Sequence, residues 1–294
     1  MSASLLVATV IAAAPVADVP TDLWQTAPDA GAKSWVAPAQ PSAKARAVVL
    51  IPGLYVHPLR PVRATRPEMR AWQMPGAELV KALAKDSDVF AFGYAQTLSV
   101  DEVAQAPGLL DAVTRLRAAG YTEVVLVGHS AGGVIARQFL EANPNAGATK
   151  VVAVAAPFAG AEAATLNVGY PKAQAPFVKS LAPDARTAAT RANKLALAKD
   201  AEFACVVCKL KRVDTDGVVQ TRSQWPDDLQ CAGVPAVLSS VSHANAMDSA
   251  STAKTIAELA TKKLARWSSA EVETARAVLF GESITRPGLF RREK

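Results

Sequence analysis

Residues 123 to 141 read EVVLVGHSAGGVIARQFLE. Val124 to Val127 is an unbroken apolar run rich in valine, the pattern of a strand buried on both faces. Gly128-His129-Ser130-Ala131-Gly132 follows directly. From Gly133 onward Val134, Ile135, Phe139 and Leu140 fall at helical spacing, interrupted by Gln138. Strand, tight turn and helix in that order give Gly-x-Ser-x-Gly a mechanical meaning. The serine rides on a strained turn with its hydroxyl thrust beyond the strand end. Gly128 and Gly132 are needed because a Cβ there would collide with neighbouring backbone. The helix N-terminus behind the serine favours negative charge near it. An idle serine in a plain glycine turn is the alternative, and the flanking strand and helix count against it.

Outward from this stretch, strands and helices alternate. The sequence predicts strands at Arg46 to Ile51, Asp88 to Phe92, Lys150 to Ala155, Glu202 to Val213 and Val234 to Val241. It predicts helices at Glu78 to Lys85, Gly108 to Ala119, from Pro183 or Asp184 to about Lys199, Ala253 to Trp267, and one more after Glu271. That rhythm argues for an α/β fold: a mostly parallel central sheet flanked by helices, joined by right-handed crossovers. Gly160 to Leu181 breaks the rhythm and reads as a small cap insertion, about 160–182. The domain then spans 46–270, and 271–294 supplies a C-terminal helix and a basic tail. Residues 18–45 are rich in Ala and Pro without periodicity. They read as a linker or an arm laid on the core, anchored by Trp24 and Trp35.

The GHSAGG form of the central turn resembles the nucleophile elbow of the α/β-hydrolase superfamily, and in particular that of bacterial lipases and esterases. The resemblance covers roughly residues 45 to 265. Such an enzyme needs backbone N–H donors for an oxyanion. RAVVLI ends in Pro52-Gly53-Leu54, where relatives carry His-Gly and then a donor residue, so the resemblance implies the Leu54 and Ala131 amides. A serine also needs a base and a group that fixes the base's tautomer. The hydrolase order is serine, acid, histidine, and of His57, His129 and His243 only His243 lies downstream of Ser130. The acid is expected in Val213-Asp214-Thr215-Asp216-Gly217-Val218-Val219. D-G-V-V resembles the acid turn of lipases and favours Asp216 over Asp214.

The implied activity is hydrolysis of carboxylic esters through an acyl-enzyme on Ser130, with His243 as base and Asp216 orienting it. No metal or organic cofactor is required. An acyltransferase or thioesterase would use the same triad, and a non-catalytic binding protein on this fold would need none of it. Leu166, Tyr170, Phe177 and Val178 in the cap are expected either to line an acyl pocket or to pack the cap onto the core.

Composition bounds the rest. The chain has 294 residues, half of them hydrophobic, enough for one sizeable core. A net charge of +6 with scattered basic residues lacks the dense stripe and module of a nucleic-acid binder. Cys205 and Cys208 fall in a strand, where positions three apart face opposite sides, so they neither pair nor share a metal. Cys231 could bridge to either in an oxidising compartment; three unpaired thiols is the other reading. Leu5 to Ala14 has the length of a signal-peptide core and is too short to span a bilayer. Export to the periplasm or medium, with residues 1–17 as leader, is the expectation, although no Lys or Arg stands near Met1. A cytoplasmic chain with a short N-terminal strand is the alternative. Finally, the proline-rich loop 55–76 carries Arg60, Arg63, Arg66 and Arg70 against Glu68 alone. It either attracts an anionic substrate group or membrane surface, or is ordinary solvated loop.

Overall fold

A computed structural model describes residues 18–28, 34–36, 42–166, 169–192, 197–198 and 200–281. The strands are β1 (Thr21–Ala27), β2 (Arg46–Ile51), β3 (Asp88–Tyr94), β4 (Glu123–His129), β5 (Ala148–Val154), β6 (Glu202–Cys208) and β7 (Ala236–Ser239). They form one seven-stranded sheet in the order β1-β3-β2-β4-β5-β6-β7. Every neighbouring pair is parallel except β1 with β3. The mostly parallel sheet read from the sequence is therefore the observed one.

Side chains alternate between two cores, one on each face. Val124 and Leu126 of β4 enter the larger core and Val125 and Val127 the other, and Cys205 and Cys208 part in the same way. Burial on both sides is why these strands read as continuous apolar runs. All three cysteines are free thiols, with Cys231 exposed.

The helices are α1 (Glu78–Leu83), α2 (Val100–Gln105), α3 (Pro107–Ala118), α4 (Ala131–Ala142), α5 (Ala175–Lys179), α6 (Pro183–Ala192), α7 (Thr221–Gln224), α8 (Asp227–Cys231), α9 (Ala250–Thr261) and α10 (Ser269–Phe280). Ser99 caps α2 in a reciprocal pair with Glu102, a short helix that the spacing of its apolar residues did not reveal. No helix among the described residues is long and apolar enough to cross a membrane.

Two expectations are corrected. The stretch expected as linker or arm contributes β1, so the sheet does not begin at Arg46. Trp35 still anchors the segment, packing edge-on against Phe90 at 5.3 Å between ring centroids. The strand expected to reach Val213 ends at Cys208. There the Gln224 side chain takes both backbone groups of Cys208, accepting from its N–H at 2.7 Å and donating to its carbonyl at 2.9 Å. The chain is then free to turn. The leader at 1–17, the end of the helix expected to reach Lys199, and the basic tail from 282 lie outside the described residues.

Candidate active site

The C-terminal ends of β2, β4 and β6 and the residues following β7 converge on one edge of the sheet, where the crevices of open α/β sheets lie. Ser130 leaves β4 at that edge with φ 53° and ψ −126°, a conformation that L residues seldom adopt. The glycines explain how the turn fits. A Cβ on Gly128 would come within 2.4 Å of the Gly132 carbonyl oxygen, and one on Gly132 within 2.3 Å of that of Ile51. A Cβ on Gly53 would lie 2.5 Å from the Ser130 Cβ, so the turn after β2 rests directly against the serine. Among the described residues neither the Leu54 nor the Ala131 N–H has an acceptor, and Ala131 is fully buried at the first position of α4.

On the other side, His243 Nδ1 donates to Asp216 Oδ2 at 2.7 Å. The Asp216 carbonyl also accepts from the His243 N–H at 2.9 Å. Asp216 is buried, and its Oδ1 accepts from the N–H groups of Val218 and Val219 at 2.9 and 2.8 Å. Asp214 instead faces solvent and pairs with Lys209 Nζ at 2.6 Å. The structure thus brings Asp216, not Asp214, to the histidine. Ser130 Oγ makes no hydrogen bond among the described residues. Its neighbour His129 links it to the imidazole: the His129 and His243 rings lie 4.9 Å apart, and His129 Nε2 is 3.3 Å from the His243 carbonyl oxygen.

A sequence model of the alpha/beta hydrolase family matches residues 48–283. The chain belongs to that family. Comparison with curated proteins found no match. Among solved structures, the chain is similar to a mature Bacillus licheniformis lipase at TM-score 0.59 and 12% identity, over 76% of this chain and 95% of that one. It is similar to a Legionella pneumophila phospholipase at TM-score 0.53 and 14% identity, over 76% of this chain and 60% of that one. A metagenomic carboxyl esterase gives TM-score 0.50 and 15% identity, over 81% of each chain. At such identities the likeness is one of fold.

Other polar groups of this hydrolase surround the site. Burial, and secondly the neighbouring His243, hold the His129 imidazole down at about 3, so it stays neutral. Its ring packs edge-on against Trp72. His57 is also buried, and burial keeps it below its ordinary value against the opposing pull of Glu68, 3.6 Å away. Gln224 Nε2 reaches Asp216 Oδ2 at 3.3 Å. Among the described residues there is no His, Cys, Asp and Glu cluster that could hold a metal.

The cap divides. Phe177 and Val178 are buried in the larger core, with Phe177 against Tyr94, and in this arrangement they offer a substrate no surface. For these two, packing replaces the pocket expectation. Tyr170 is half-buried against the core and Leu166 is exposed. The arginines divide as well. Arg63 pairs with Glu68 at 2.6 Å, and Arg70 lies 3.7 Å from Glu68 and 4.4 Å from the Tyr55 ring centroid. Arg60 and Arg66 are exposed with no ion pair among the described residues. The residues that sequence reading missed are glutamines: Gln96, Gln174 and Gln224. Each is buried and bonded to backbone brought to it by the fold, and no motif in the surrounding sequence marks it.

Proposed function

We propose that the protein hydrolyses carboxylic esters through an acyl-enzyme on Ser130. The Ser130 hydroxyl attacks the ester carbonyl and gives its proton to His243 Nε2. The tetrahedral oxyanion sits against the Leu54 and Ala131 N–H groups. Collapse expels the alcohol, which takes the proton from His243. Water then attacks the acyl-enzyme by the same route and releases the acid. Asp216 fixes the imidazole with Nε2 facing the serine and stabilises it while it is charged.

The observation that carries this reading is the 2.7 Å bond from His243 to buried Asp216, at the same edge of the sheet as a serine in a strained turn. The lipase, esterase and phospholipase names of the similar structures support an ester as substrate. Leu59, 93% exposed, precedes Arg60, which has no ion pair among the described residues, on the loop that continues from the Leu54 turn. An apolar side chain next to an exposed guanidinium suits contact with an anionic lipid surface, and we include such a surface among the partners of the site.

A fluorophosphonate probe tests the chemistry. It should label the native protein on Ser130, and p-nitrophenyl esters of graded chain length should be hydrolysed. In Ser130→Ala both should vanish, with kcat down by about 10⁴ to 10⁶. Native-like turnover in folded Ser130→Ala would end the proposal.

A further inference from the structure

The backbone around Leu54 is held almost entirely by side chains from elsewhere. Tyr94 Oη donates to the Pro52 carbonyl at 2.6 Å. Gln96 Nε2 donates to the Gly53 carbonyl at 2.9 Å, and Gln96 Oε1 accepts from the Tyr55 N–H at 2.9 Å. Gln174 Nε2 donates to the Tyr55 carbonyl at 2.9 Å, and Gln174 Oε1 accepts from the His57 N–H at 3.3 Å. The two glutamines also touch, Gln174 Nε2 lying 3.4 Å from Gln96 Oε1. Tyr94, Gln96 and Gln174 are 2, 3 and 0% exposed.

This arrangement is unusual in what it spends and what it spares. Burying a primary amide is costly unless both its donor and its acceptor are used. Here both amides are used, on peptide groups that flank Leu54 on each side. The Leu54 N–H itself has no acceptor among the described residues. A turn that merely needed to be ordered could use its own carbonyls and amides, as most turns do. This one is pinned from outside, which fixes the peptide planes and leaves one N–H beside Ser130 unspent. Gln96 comes from just beyond β3. Gln174 comes from the cap, at the end of the short turn Lys172–Gln174.

We propose that Gln96 and Gln174 are positioning residues for the reaction: they aim the Leu54 N–H at the oxyanion without touching substrate. The inference rests on the ester-hydrolase reading. A donor held in advance stabilises charge that develops only in the transition state, so its loss lowers kcat and leaves KM nearly unchanged.

The experiment uses the full chain with a soluble short-chain ester and three variants: Gln96→Leu, Gln174→Leu and Gln174→Glu. Each leucine variant should lose about 10- to 100-fold in kcat, less than the 10²- to 10³-fold typical of deleting an oxyanion donor outright. KM should move less than about 3-fold. Gln174→Glu provides a signature that simple structural support would not. A carboxylate there can still accept from the His57 N–H but cannot donate to the Tyr55 carbonyl. Protonation restores that donor, so the ratio of variant to native kcat should climb as pH is lowered, with the variant folded throughout. Native kcat in folded leucine variants, losses confined to KM, or a pH-independent ratio for Gln174→Glu would each overturn the positioning role. So would loss of the native fold in all three variants, which would make the glutamines structural. A native protein that neither cleaves esters nor takes the fluorophosphonate would fail the ester-hydrolase reading itself, and the positioning role with it.

Discussion

The turn carrying Leu54 and the turn carrying Asp216 lie on opposite sides of Ser130, and they are held in opposite ways. The acid turn is held largely from within: Asp216 Oδ1 accepts from residues two and three positions on, and Thr215 and Gln220 close the loop by a bridge. The Leu54 turn is held from a distance, by partners 41 and 119 residues away along the chain. A locally determined turn leaves its signature in consecutive residues. A turn determined by tertiary contacts leaves none.

This contrast can be broken most sharply at the acid. Asp216→Asn should lower kcat by about 10³ to 10⁴, because the imidazole loses the partner that selects its tautomer. Asp214→Asn, at an exposed carboxylate that pairs with Lys209 at the surface, should change kcat less than about 3-fold, the order of magnitude of exposed ion pairs. Steady-state kinetics of the two variants decides, and the reverse ranking would place the acid on the wrong member of the pair.

The seam between the two sides is His129, which touches Trp72 from the first and His243 from the second. Its folded value of about 3 lies below the ordinary 6.5. The unfolded chain therefore takes up a proton as pH falls through about 6.5, and the native protein refuses it until near 3. Stability from this group is complete above the unfolded value and is lost as pH falls across that window, by a few kcal/mol on the order expected for such a shift. Urea unfolding at several pH values between 4 and 7 should show a shallower slope for His129→Gln than for the native protein. Parallel slopes would mean that the imidazole is not kept from its proton.

The smallest effect concerns the loop that leaves the Leu54 turn. Arg60 and Arg66 act only through a field that salt screens, over a Debye length of ~10 Å at 0.1 M. Added salt should lower kcat/KM for an anionic ester by a few-fold, roughly what such screened charges supply, and leave a neutral ester unchanged. Arg60→Gln with Arg66→Gln should remove the difference. Equal salt sensitivity for both esters in the native protein would make the loop ordinary surface.

The same contrast explains how much could be read in advance. The parallel sheet was legible because strands buried on both faces are written as apolar runs, as in Val124 to Val127. The central turn was legible because strand, Gly-x-Ser-x-Gly and helix follow one another in consecutive residues, although the backbone that excludes a Cβ at Gly132 is that of distant Ile51. Asp216 stood out from Asp214 by the residues following it, and the structure sets it against His243. Gln96, Gln174 and Gln224 were not legible, since each acts on backbone that sequence proximity does not supply. Strand β1 was hidden for a related reason: Leu23 and Trp24 are adjacent apolar residues that spoil the alternation, and its pairing partner β3 lies far along the chain.

That edge strand bears on how the protein can be shortened. The Ala- and Pro-rich composition around it invites trimming to Arg46, where the first long apolar run begins. Such a shortened chain would leave β3 with its outer row of N–H and carbonyl groups bare, along a strand that carries Phe90 and Phe92. An open, apolar strand edge recruits other chains. The dispensable-looking stretch is thus the hydrogen-bonding partner of β3, and any truncation that respects the fold must keep residues from Thr21 onward.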